Sequence, residues 1–249
     1  MGFTPALHAE WIKIRTLRSL VGALCAMLSA TVVFSALSAF SAVSAGAGTA
    51  TDGEDLDPLF SALFGVNLGQ IAAMAFATTA VSSEFRGGAL RLSLAVVPHR
   101  GVWFAAKLTA IALPVLTVGL ATGLLTVALG KAVLGEKADG LSTADSLRGA
   151  LGCAVYLTLM ALLAAGLTTV LRSGSAALSI LVPFLLIVSF VIGDMSGNAA
   201  DLLPDRAGQV ALHSAWQGLL GPWSGIAVTA AWTATAVAAG AWQVRRRDA

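Results

Sequence analysis

Residues 108–130 read LTAIALPVLTVGLATGLLTVALG, with no charged side chain between Lys107 and Lys131. A helix rises ~1.5 Å per residue, so a run of this length crosses the roughly 30 Å hydrocarbon layer of a bilayer. Comparable uncharged stretches recur at 19–51, 58–83, 149–171 and 173–193. A last one, 207–244, is too long for a single crossing and divides at Gly221-Pro222, a pair that punctuates helices. The predicted fold is therefore an all-α integral membrane protein of about six transmembrane helices. The spans fall near 20–44, 59–83, 103–130, 149–171, 176–193 and 223–244, within one transmembrane domain over 1–249. Residues 207–220 form an interfacial or re-entrant piece before span six, which must pack against other spans, because non-helical backbone at membrane depth needs protein or water around it.

Composition leads to the same class. Charged residues make up 11% of the 249, and hydrophobic types 57%. A soluble domain carries about 25% charged residues, so this chain has too few charges to cover a water-facing surface. No soluble catalytic domain of normal size fits in the remaining loops. The two cysteines, Cys25 and Cys153, both lie in apolar runs and read as small packing residues, not as a disulfide or metal framework. The first apolar run reads as an uncleaved span and not as a signal peptide.

Orientation comes from the basic residues. With the N-terminus inside, eleven of the fifteen Lys and Arg fall in inner segments. Lys131, Lys137, Arg148 and Arg206 fall outside, and the acidic residues show the opposite bias. An even number of spans returns Arg245-Arg246-Arg247 to the cytoplasm. The expected setting is a multi-pass protein of a bacterial cell membrane with both termini cytoplasmic.

Two inner segments are more than connectors. Thr4-Pro5 reads as a helix start, and Leu7, Trp11 and Ile14 follow at helical spacing, with Glu10 and Lys13 to one side. This predicts a short amphipathic helix on the inner membrane surface. Residues 83–107 join spans two and three, with Gly87-Gly88 for a turn and a short helix over 89–97 that ends at Pro98. Spans four and five, by contrast, are joined by little more than Arg172-Ser173-Gly174-Ser175. The elaborate connection is the one expected to meet a partner.

The segments AEWIKIRTLRS (9–19), SSEFRGGALR (82–91), VPHR (97–100) and AKL (106–108) resemble the type 2 permeases of ABC exporters, the group that includes bacterial antibiotic and lantibiotic exporters. The layout of spans resembles that family along the whole chain; Gly87-Gly88 departs from its commoner single glycine followed by Thr. The resemblance implies a non-catalytic permease paired with a separate ABC ATP-binding subunit, two permeases to two ATPases. The permease partner is a second copy or a related chain. ATP and Mg belong to the partner ATPase, and this chain carries no cofactor, catalytic residue or metal. Residues 7–18 correspond to the elbow helix. Glu84, Phe85, Arg86, Leu90, Arg91 and Leu94 correspond to the coupling helix that docks on the ATPase. The remaining partner is the lipid bilayer, with no nucleic acid.

The residues themselves agree on several points. No phosphate loop is present; Gly130-Lys131-Ala132 lacks the spaced glycine and the hydroxyl that such a loop needs. Lys107, Lys131, Arg148, Arg172 and Asp194 read as span-end residues that snorkel. No mid-membrane carboxylate is expected for a proton relay, and no Gly-x-Ser-x-Gly motif for an embedded hydrolase. Ser35, Ser38, Ser41 and Ser44 recur every third residue and either line part of a substrate path or pack helices closely. Three Gly-x-x-x-Gly pairs, 65/69, 119/123 and 221/225, are packing hints. Trp223 and Trp242 fit the two interfacial belts. The cargo expected is an apolar or amphipathic drug, antibiotic, peptide or lipid. The alternative is a self-contained secondary transporter or channel subunit, whose inverted repeats or buried charges the sequence does not display.

Overall fold

The computed structural model describes residues 2–46, 57–86, 89–90, 93, 99–138, 140–185, 201–214 and 218–246. Among them there are helices and turns and no strand. Helix α1 is Phe3–Thr16 and α2 is Arg18–Gly46. Helix α3, Pro58–Leu63, and α4, Val66–Ser82, are separated only by a turn at 64–65. A 3-10 turn, Ser83–Phe85, ends that rod. Then come α5 (Arg100–Leu134), α6 (Thr143–Leu171) and α7 (Gly174–Pro183). The last are α8 (Pro204–Gln209), the 3-10 turn Val210–Leu212, and α9 (Pro222–Arg246).

Local chemistry sets several of these starts. Asp57 accepts from the N–H groups of Leu59 and Phe60, with Pro58 in the first turn of α3. Ser142 caps α6 through the N–H of Asp145, and Ser173 caps α7 through that of Ala176. Helix α9 begins at Pro222, where the Gly-Pro pair divides the last apolar stretch. Helix α1, however, starts two residues before the expected site, behind Gly2, and takes no cap from Thr4.

Five segments are long and apolar enough to cross a membrane: Arg18–Ser44, Pro58–Phe85, Arg100–Leu134, Thr143–Leu171 and Pro222–Arg246. Five of the six expected spans thus have a helix of the right length. The remaining one, 176–193, begins as the shorter apolar helix α7; its second half lies outside the described residues. Helix α6 is the centre of the bundle. Its most apolar stretch is 67% buried, against 22% for α2 and for α9. It packs chiefly on α5, α9 and α4.

Close approach of small residues makes these contacts. A Cβ added at Gly123 would lie 2.8 Å from the Ala150 carbonyl oxygen, and one at Gly166 would lie 2.6 Å from the Ala236 carbonyl carbon. Lipid is as apolar as leucine, so helix association in a membrane relies on such backbone proximity. Buried hydroxyls bond their own backbone four residues back: Thr122 to Val118, Thr126 to Thr122, and Thr168 to Ala164.

Cross-chain contacts sort the helix ends into two groups. Arg100 donates to the Val244 carbonyl, and the Arg172 guanidinium lies over the Phe85 ring. At the opposite end Ser214 bonds Asp57, Arg148 donates to the His213 carbonyl, and Lys131 donates to that of Leu141. These are the two sets that the basic-residue count assigns to opposite faces.

Candidate functional site

A bend at Leu17, whose backbone is extended, separates α1 from α2 and lays α1 against α5. Ala6, Glu10 and Ile14 are the buried residues of α1, one face at a spacing of four. Glu10 is only 3% exposed. Phe3, Trp11 and Ile12 point outward, at 42%, 37% and 48%. The expected stripe of Leu7, Trp11 and Ile14 is therefore split. Ile14 is buried, Leu7 is half-buried and Trp11 is exposed, while the carboxylate predicted to lie off the stripe faces the protein.

The reason is Lys107. It is 4% exposed, two turns inside α5, and does not snorkel as expected. Its ammonium lies 2.6 Å from Glu10 Oε2 and 2.8 Å from Glu84 Oε1. Lys13 closes the arrangement, 2.8 Å from Glu10 Oε1 and 2.8 Å from Glu84 Oε1. The result is a ring of four alternating charges drawn from α1, the 3-10 turn after α4, and α5. Ser93, in the connector, donates to Glu84 Oε2 at 3.0 Å. Burial disfavours the charged form of Lys13, but hydrogen bonds to and the charges of Glu10 and Glu84 outweigh it and raise its pKa above 10.5.

Beside the ring lies an apolar cluster of Ala6, Leu90, Trp103, Phe104, Ala106 and Val244. Phe85 packs against it, half-buried, with the Arg172 guanidinium 5.9 Å above its ring. Arg172 adopts a left-handed backbone, φ 54°, and ends α6 there. The minimal connection thus touches the elaborate one.

Of the residues expected to face an ATPase, Glu84 and Leu90 turn inward, Phe85 is half-buried, and Arg86 is exposed. Arg91 and Leu94, with the Gly87-Gly88 turn and most of the 89–97 helix, lie outside the described residues. A carboxylate beside two ammonium groups in apolar surroundings pairs internally because isolation there is costly.

The serine strip of α2 divides in the same way. Ser35 is 2% exposed and accepts the Gly65 N–H at 3.0 Å. Ser41 and Ser44 are exposed and bond the carbonyls of Leu37 and Phe40, while Ser38 is partly buried. Ser35 thus joins two helices, and Ser41 and Ser44 bond their own helix.

A second polar group holds the segment before span six. Gln209 of α8 donates to Asn67 Oδ1 at 2.9 Å and to the Tyr156 hydroxyl at 3.3 Å. Tyr156, fully buried, also donates to Gln70 Oε1. Asp205 is 5% exposed in the same segment. Of the expected piece 207–220, residues 207–212 pack on α6 and α9, and 215–217 lie outside the described residues. The sequence reading did not single out Asp205 as buried. Among the described residues, no cluster of three or more His, Cys, Asp or Glu side chains is placed to hold a metal ion.

No protein-family model, curated protein or solved structure matches this chain.

Proposed function

We propose that the chain is the membrane permease of an ATP-driven ABC exporter. A separate ATP-binding subunit hydrolyses ATP, and the permease works as a homodimer or beside a related permease. It sits in a bacterial cell membrane with both termini cytoplasmic and moves an apolar or amphipathic substrate outward. The observation that supports this most is Lys107 bridging Glu10 and Glu84. A permease driven from outside has to move its spans when its cytoplasmic segments are moved. The ring ties the N-terminal helix and the start of the 83–107 connector to the first turns of α5, so a displacement of either segment reaches the span through short, buried ionic contacts. The connector beyond Arg86 is the docking element, with Phe85 and Glu84 as its anchor on the permease side.

Asp205, buried in α8 though outside the five segments long enough to cross a membrane, is the observation that favours a self-contained secondary transporter, since a carboxylate buried in protein is costly. One experiment separates the two. The tagged chain is purified in mild detergent from its native membranes, and its companions are identified by mass spectrometry. An ATP-binding chain with a phosphate-loop sequence is expected, with hydrolysis in proteoliposomes only when it is present. Substrate movement by the chain alone, driven by an ion gradient, overturns the proposal.

A further inference from the structure

At the same end of the bundle, the start of α2, the end of α4 and the start of α7 enclose an open cavity of about 450 Å³. That volume is within the range of roughly 300–1,000 Å³ of ligand-binding clefts. One wall is polar, formed by Ser19, Thr79, Ser83, Ser175 and Arg86, and Leu17, Leu20 and Leu178 complete an apolar side. No carboxylate lines it. The nearest one in sequence, Glu84, is turned away and held by Lys13 and Lys107.

The polar groups differ in how they are used. Ser83 donates to the Ala80 carbonyl, and Ser175 is bonded to Ser173. Among the described residues, the hydroxyls of Ser19 and Thr79 make no hydrogen bond, and the Arg86 guanidinium makes neither a hydrogen bond nor an ion pair, while its backbone N–H bonds the Ser83 carbonyl. A guanidinium and two uncommitted hydroxyls thus line one cavity at the ends of three helices. The first N–H groups of α7, a ten-residue helix whose serine cap satisfies only Ala176, add positive potential on the same side.

We propose that this cavity binds the phosphate of an anionic amphiphile at the inner leaflet. Arg86 is the counter-ion, Ser19 and Thr79 are hydrogen-bond donors, and Leu17, Leu20 and Leu178 receive the first part of the chain. The planar guanidinium suits a phosphate better than a point charge does. A zwitterionic headgroup gains less, because its ammonium finds no carboxylate in the cavity. Soluble phosphate offers the same oxygens without the chain.

The test uses the full chain, purified and delipidated in detergent. Binding is followed by native mass spectrometry in mixed micelles with phosphatidylglycerol or phosphatidylcholine. A parallel arm uses inorganic phosphate at constant ionic strength. One phosphatidylglycerol should bind in preference to phosphatidylcholine. Arg86→Gln should weaken it about tenfold, the loss of a charge-assisted contact, with Arg86→Lys intermediate. Thr79→Val should weaken it by about threefold, one neutral hydrogen bond, and Arg246→Gln on exposed α9 should leave it unchanged. Arg86-dependent binding of inorganic phosphate without lipid preference assigns the same site to a soluble phosphate. Equal binding of the two lipids, or binding by Arg86→Gln equal to the parent, overturns the proposal.

Discussion

Lys107 and Glu10 stand 97 residues apart in the chain, and their charged atoms meet at 2.6 Å, with both side chains only 4% exposed. Neither charge stays hydrated at that depth, so each depends on the other and on Glu84 and Lys13. Replacing a buried pair by apolar groups is often neutral, whereas removing one member strands a charge and costs about 3–5 kcal/mol.

Lys107→Met is therefore expected to destabilise the end of the bundle that holds α1. Thermal melting in detergent should fall, and a cysteine placed at Ala6, 5% exposed in the parent, should become reactive to maleimide as α1 lifts. The triple variant Glu10→Leu, Glu84→Leu, Lys107→Met should recover most of the stability, since Lys13, with 39% of its side chain exposed, can reach water. Equal loss in the single and triple variants would show that contact shape, not charge balance, holds α1.

Gly166 tests the α6–α9 seam. Its added Cβ would lie 2.6 Å from the backbone of Ala236, which has no flexible atom to move aside. Gly166→Ala should push α9 off α6 and lower folded yield and melting temperature. Gly22→Ala is the control: nothing lies within 4 Å of its Cβ, and relief of backbone entropy should stabilise α2 by about 0.5–1 kcal/mol. Comparable melting temperatures for the two variants would contradict the packing of this seam.

His213 should make the segment before α9 acid-sensitive. Burial lowers its pKa below 6.5, against the raising effect of its contact with the Gln209 carbonyl and of nearby Asp57. Its ring stacks on Phe60, and Arg148 bonds its carbonyl. Because the folded state holds the proton less tightly than the unfolded one, the stabilisation is present above pH 6.5 and is lost as pH falls below it. Melting curves from pH 8 to pH 5 should show this decline, and His213→Phe should flatten it. A parent whose stability rises on acidification would refute the sign.

Topology is checked by single cysteines in a Cys25→Ala background, because Cys25 is exposed. Positions 140 and 145 should label from outside intact cells, and 86 and 175 only from inverted vesicles. Labelling of 140 and 175 from the same side would overturn the orientation.

Much of the fold was legible in the sequence, because crossing a membrane imposes a length and an absence of charge that a linear scan can read. The five long helices, the division at Gly221-Pro222 and the grouping of loops into two ends follow from that rule and from the basic-residue bias. Glu10, Lys107 and Asp205 were misread or missed for a related reason. A scan places a charge near the end of an apolar run and assigns it to water, and it cannot record that a second charge arrives from elsewhere. The Gly-x-x-x-Gly pairs show the same limit. Gly65, Gly69, Gly119, Gly123 and Gly225 all meet a neighbouring helix or turn, whereas Gly221 meets only its own Ser224. The sequence marked five of the segments that are long and apolar enough to cross and grouped the charged loops into two sets, since those depend on local hydropathy and charge. Only the tertiary structure decided that Glu10, Lys13, Glu84 and Lys107 form one ring, because their partners lie up to 97 residues apart. Pairing over that distance depends on how α1, α4 and α5 pack, which no local period encodes.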